Sequence, residues 1–180
     1  DGEYLSHFDK KEVDSQIRMQ KPFEQLQERC RSYSVAENEG THEKDYLSYN
    51  VVAATSLDVI LSNAFAVLEY ALLSSPGAAL KQALLDAGIG KDILGSYDSG
   101  IYQPVFSVIA KNTSIDKKEM FLKIIRDELE KAAKQGVDRD ALYAGINIME
   151  FKAREADYGS YPKGLIYGIN VFDTWLYDEE

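Results

Sequence analysis

The spacing of apolar positions changes along this chain, and each change marks an element. From Tyr46 to Thr55, "YLSYNVVAAT" concentrates aromatic and β-branched residues in the manner of a strand. Leu57, Ile60, Leu61, Ala64, Phe65, Leu68 and Leu72 then recur at helical spacing behind Ser56, the expected N-cap. Apolar residues on the other faces of this helix predict that it is mostly buried. "SSPGAALKQALLDAGIG" (74–90) reads as a break and a second, shorter helix. Ser75 is its expected cap, Pro76 its first position and Gly88 its left-handed stop. "KDILGSYD" and "IYQPVFSVIA" flank Ser99-Gly100 as a hairpin, with Pro104 arguing for an edge or bulged strand.

The clearest amphipathic stripe is Met120, Phe121, Ile124, Ile125, Leu129 and Ala132. Asp116 is the expected cap, Glu119 stands three residues later and Gly136 ends the run. Asp138 opens another helix through Leu142, Ile146, Met149 and Ala153, which Gly159, Ser160 and Pro162 interrupt. A last helix runs from Leu165 to about Tyr177. Toward the N-terminus, "RCRSYSVAE" (29–37) alternates like a strand with one wet face, and "ENEGTHEKD" is a polar loop around Gly40. Residues 1–28, with "KPF" (21–23) as their one turn, read as a lead-in arm that wraps a domain spanning 29–180. Strands first, then helix, hairpin and a run of helices imply an α+β fold: one antiparallel or mixed sheet with helices packed on one face.

Composition narrows the partners. The 180 residues are 45% hydrophobic, enough for one well-filled core. The formal charge of −10 argues against nucleic acid, whose phosphates need a basic face. No run approaches 18 uninterrupted apolar residues, so no membrane partner is expected. Cys30 is the only cysteine, so no internal disulfide forms, and a reducing, cytoplasmic setting is the expectation. The chain opens at "DGEYLSHF" without Met and closes within a helical pattern, which reads as a piece of a longer polypeptide.

Candidate chemistry is sparse. His7 and His42 are the only histidines, and zinc catalysis needs about three protein ligands. "HEKDY" (42–46) begins like H-E-x-x-H, but Tyr46 occupies the second ligand position, and the inverted H-x-x-E-H fails as well. No G-x-S-x-G appears, and "GIGKD" (88–92) lacks the spacing of a phosphate loop. Asp127 and Glu130 fall on a solvated helix face. "EADYGSYPKGL" (155–165) reads as a helix break with aromatic packing. No catalytic, cofactor-binding or metal-binding residue is assigned.

Four words in order nonetheless carry a resemblance: "KPF" (21–23), "SPGAALKQALLDAGIGKDI" (75–93), "QPVFSVIAKN" (103–112) and "IMEFKAREADYGSYPKGL" (148–165). From about Tyr4 to its end, the chain resembles the second domain of the insulinase-like (pitrilysin clan) zinc metallopeptidases, in the branch that includes the presequence peptidases. The resemblance implies a metallopeptidase-type α+β fold in a parent enzyme of four similar domains closing around unstructured peptides. It implies that zinc belongs to a preceding catalytic domain, and that this segment supports that domain and walls the substrate chamber. In the family's substrate-gripping domain, an arginine and a tyrosine on the helix equivalent to 79–87 hold the substrate carbonyl. Here the matching positions are Gln82 and Ile89, with Lys81 one residue away. Neither matched residue supplies the missing donor, so the resemblance implies the supporting domain. The alternative of a catalytically silent scaffold subunit with the same fold stays open.

Overall fold

A computed structural model describes residues 2–36, 40, 42–155 and 158–178. Its sheet has three antiparallel strands in the order β1-β3-β2: β1 Asp45–Val52, β2 Asp92–Asp98 and β3 Val105–Thr113. Registers Leu47↔Ala110↔Ile93 and Val51↔Phe106↔Tyr97 run across the face that packs on the core. The alternate residues Ser48↔Ile109↔Leu94 and Asn50↔Ser107↔Ser96 lie on the other face, as the two-residue period of a strand requires. That outer face is small and polar at its centre. Asn50 Oδ1 accepts from the hydroxyls of Ser48 (2.9 Å) and Ser107 (2.7 Å).

Against the inner face lie α1 (Val59–Glu69), α2 (Ala79–Asp86) and α3 (Lys118–Gln135). Leu72 and Leu73 of the turn that continues α1 (Tyr70–Ser74), Leu80 and Leu84 of α2, and Phe121 and Ile125 of α3 are core residues. This is an α+β layer with its core between the sheet and these helices. Helix α4 (Arg139–Glu155) packs on α1 and its continuation, while α5 (Lys163–Trp175) lies further out.

The structure moves three helix starts. Asp58, not Ser56, caps α1 by accepting from the Leu61 amide at 2.9 Å. Ser56 is buried instead, with its amide bonded to Tyr102 O. Ser75 terminates the preceding helix and does not start the next. Tyr70–Ser74 continues α1 as a π-turn, closed by Ser75 N–H donating to Tyr70 O at 2.7 Å, while Ser75 Oγ donates to Ala71 O at 3.2 Å. Pro76 and Gly77 turn the chain, and α2 begins after Ala78, which has no capping side chain to offer. Asp116 falls inside a 3₁₀ turn, Ile115–Lys117, so α3 starts at Lys118; its side chain accepts from the Ser114 hydroxyl. Asp138 does cap α4, accepting from Ala141 N at 2.7 Å.

Three further expectations change. The first half of α1 is not buried, and Ile60 is 84% exposed. Residues 29–36 form no strand: the chain is extended and exposed there, because it meets no partner strand among the described residues (37 lies outside them). Gly40 and residues 42–45 of the polar loop are described, while residues 37–39 and 41 lie outside the described residues. Pro104 does not mark an edge. It sits one residue before β3, the central strand, where its missing N–H removes no ladder bond and its carbonyl accepts from Ala53 N at 2.8 Å.

The stretch Val59–Asp86 is long and apolar enough to cross a bilayer by composition. The turn between Ser74 and Ala79 divides it into two shorter helices, and Leu73, Leu80 and Leu84 are core residues of the layer.

Candidate functional site

Helix α2 is where the resemblance places substrate-gripping groups, and its local chemistry explains what is there instead. The helix ends in a Schellman motif. Gly88, at φ +65°, donates to Leu85 O at 2.9 Å, and Ile89 donates to Leu84 O at 3.0 Å. This geometry needs a left-handed residue followed by an apolar one that folds back on the helix. Ile89 fills that second role and is 0% exposed, packed with Leu84. The position matched to the gripping tyrosine is therefore sealed in the core. Gln82 is exposed and turned along its own helix, donating to Asp86 Oδ1 at 2.7 Å. Lys81, one residue away, pairs with Asp92 at 3.3 Å. No donor pair projects from this element.

The remaining candidates disperse. His7 lies in a 3₁₀ turn of the N-terminal arm and His42 just before β1, both exposed. Among the described residues no three His, Cys, Asp or Glu side chains gather to hold a metal ion. Asp127 and Glu130 pair with Lys123 and with Lys134 along α3. In 155–165, of which 156–157 lie outside the described residues, Tyr158 meets Tyr167 edge-on at 6.0 Å and Lys163 donates to Glu155 O at 3.2 Å.

Among the described residues three groups are shifted. The Ser114 hydroxyl, with the residue's own amide, lowers the Asp116 carboxyl from its ordinary value. The hydrogen bond and charge of Glu28 raise Lys118. Burial, then the charge of Asp98, raises Asp173. None adjoins a nucleophile in an enclosed cleft. A groove of about 490 Å³ runs between Ser75–Leu80, the end of α3 and the start of α4, lined by Tyr70, Leu129, Ala132, Val137 and Ala141.

What the molecule does present is apolar surface. Its total accessible surface, polar and apolar together, is 13758 Å², against about 8,800 Å² for a compact protein of this mass. Tyr4, Phe8, Val13, Ile17 and Phe23 of the arm, Ile60 of α1 and Phe151 of α4 are all exposed. Hydrophobics exposed singly are ordinary, and it is a contiguous apolar patch that marks an interface. The arm is extended yet tethered. Gln20 and Gln103 exchange two hydrogen bonds (2.6 and 3.1 Å), Glu28 pairs with Lys118 at 3.0 Å, and Tyr33 packs on Tyr46.

A family model described as the peptidase M16 inactive domain matches residues 2–149. The chain belongs to that family. Protein HypA of Clostridium perfringens (strain 13 / Type A) is 46% identical over 176 residues, spanning 98% of this chain and 18% of the relative. Presequence protease 1, chloroplastic/mitochondrial, of Arabidopsis thaliana is 29% identical over 181 residues, spanning 98% of this chain and 17% of the relative. The chain thus covers less than a fifth of the length of these relatives. The M16 inactive domain is a non-catalytic part of an insulinase-like peptidase. Nothing in the sequence motifs marked Ile89 as the apolar closure of a Schellman motif except its place directly after Gly88.

Proposed function

We propose that this M16 domain is a supporting part of a zinc metalloendopeptidase that degrades short unfolded peptides, and that it forms one wall of the substrate chamber. Residues 1–28 are its lead-in arm and 29–180 its body. Zinc is bound by a preceding catalytic domain of the same polypeptide, which is this domain's main partner. One observation carries the reading: α2 is retained with its core residues and its Schellman stop, yet the two gripping positions hold a buried isoleucine and an uncharged glutamine. An element kept for packing, without the arginine and tyrosine pair that would hold a developing oxyanion, supports the chamber without working on the bond.

The test is hydrolysis of a fluorogenic unfolded peptide by this chain alone and by the longer polypeptide. Activity confined to the longer polypeptide and abolished by a zinc chelator is the expected result. Chelator-sensitive cleavage by the 180-residue chain alone overturns the proposal. A longer polypeptide with no H-x-x-E-H upstream and no activity assigns the scaffold role instead.

A further inference from the structure

The two edges of the sheet are built differently. β2 carries Asp92 and Asp98 at its ends and Gly95 at its middle, so a further strand laid against it meets charge twice and a weak pairing position between. β1, "DYLSYNVV", has a single charge at its first residue, followed by aromatic and β-branched positions. An edge of that composition invites another chain to pair unless something covers it. Among the described residues no strand pairs with β1 on the side away from β3.

The arm passes β1 from one end to the other. At the C-terminal end, the Gln20 amide donates to Gln103 Oε1 at 2.6 Å, and Gln103 Nε2 donates back to Gln20 O at 3.1 Å. Gln103 adjoins Pro104, whose carbonyl accepts from Ala53, the residue after β1. At the N-terminal end, Lys118 Nζ donates to both carboxylate oxygens of Glu28, at 3.0 and 3.1 Å. Lys118 directly follows the 3₁₀ turn that begins at Ile115, whose amide donates to Asp45 Oδ2 at 3.0 Å. Further along, the Tyr33 hydroxyl donates to Lys44 O, and its ring meets Tyr46 edge-on at 5.6 Å. Residues 20–28 therefore run antiparallel to β1. Extended, they reach about 26–29 Å, and β3, which they pass on the far side of β1, is about 27 Å long. The segment has little slack. Pro22, which lacks an N–H, and the charges of Lys21, Glu24 and Glu28 keep it from becoming a ladder strand itself.

We propose that residues 20–33 are a strap that guards the unpaired edge of β1, and that a loosened strap lets β1 pair with β1 of a second copy. The strap does for β1 what the terminal aspartates do for β2. It stands whether or not the longer polypeptide is a peptidase.

Light-scattering mass and hydrogen exchange of the 180-residue chain test this at about 0.5 M salt, where a screening length of about 4 Å removes the repulsion between chains of charge −10. Gln103→Ala with Lys118→Glu releases both tethers and leaves the strap's own sequence intact. This variant is expected to associate at about tenfold lower concentration than the unaltered chain. The β1 amides that point away from β3 then gain protection, and the outer amides of β2 gain none. Adding Ser48→Lys, which puts a charge on the exposed face of β1, is expected to return the released variant to a monomer. Glu28→Lys with Lys118→Glu reverses the ion pair and is expected to keep the mass of the unaltered chain, which separates a lost guard from a damaged fold. A released variant that stays as monomeric as the unaltered chain overturns the proposal. So does association that protects β2 or α5 and leaves β1 unprotected, association that Ser48→Lys does not reverse, or a charge-reversed protein that associates as the released one does.

Discussion

The carboxylates of Asp98 and Asp173 lie on the same side of Gly100, each within 3.8 Å of where a Cβ on that glycine would stand. Asp98 ends β2 and accepts from the Gly100 amide at 3.3 Å, while Asp173 comes from α5. Neither carboxylate has an ion pair among the described residues. Two like charges therefore meet at the point where α5 touches the body, beside the Tyr102–Tyr177 stack.

The sign of the pH dependence follows from Asp173. Burial, then Asp98, raises its carboxyl above the ordinary value, so the docked state binds the proton more tightly than the undocked one. Its contribution to docking is complete below the ordinary aspartate value and is lost as pH rises through the raised one. Trp175 is the only tryptophan and lies two residues away. Its emission should report tighter docking of α5 below the ordinary aspartate value than at neutral pH. Asp173→Asn should hold the acid-like emission at neutral pH and flatten the titration. Asp116 acts in the opposite sense, its lowered carboxyl favouring the fold above the ordinary value. The informative quantity is therefore the difference between variant and wild type.

Gly95 should tolerate no side chain. A Cβ there would stand 2.2 Å from Glu69 Oε1 and 2.6 Å from Leu73 Cβ. The carboxylate can swing away, but Leu73 is 1% exposed and fixed in the core. Gly95→Ala should cost about 1–3 kcal/mol through overpacking. Denaturant unfolding followed by circular dichroism should show the midpoint fall with the slope unchanged.

Much of this arrangement is legible in the sequence alone. β1, the β2–β3 pair, the α3 stripe and the stops at Gly88 and Gly136 follow from period and from residues that tolerate positive φ. Helix starts were less legible, because Ser, Asp and Pro near a boundary offer competing caps. At Ser75 a π-turn, which has no sequence signature, claims both the amide and the hydroxyl. Residues 29–36 form no strand because alternation records only that one face is wet. It does not supply a neighbour to pair with. The exposed half of α1 failed for a related reason: an apolar face must be covered, but the sequence does not say whether the cover lies within the same 180 residues.

The corrected cap of α1 gives a paired test. Asp58→Ala removes the acceptor for the Leu61 amide and should cost about 1 kcal/mol. Ser56 Oγ is buried with no hydrogen-bond partner among the described residues. Ser56→Ala should be neutral or mildly stabilising, since it removes an unsatisfied hydroxyl. If Ser56 were the cap, the ranking of the two thermal midpoints would reverse.

Ile89 separates a packing role from a gripping role most directly. It is fully buried and closes the Schellman motif against Leu84, and its carbonyl accepts from the buried Thr113 hydroxyl. Ile89→Ala should cost about 2–5 kcal/mol, the range for truncating a large aliphatic side chain in a core. Ile89→Tyr restores the residue type of a gripping domain at that position, but no cavity awaits a ring there. It should therefore destabilise the fold by about 1–3 kcal/mol through overpacking and leave the longer polypeptide no faster on unfolded peptides. An Ile89→Tyr protein with unchanged stability and a higher kcat/KM would show that this position faces the substrate space after all.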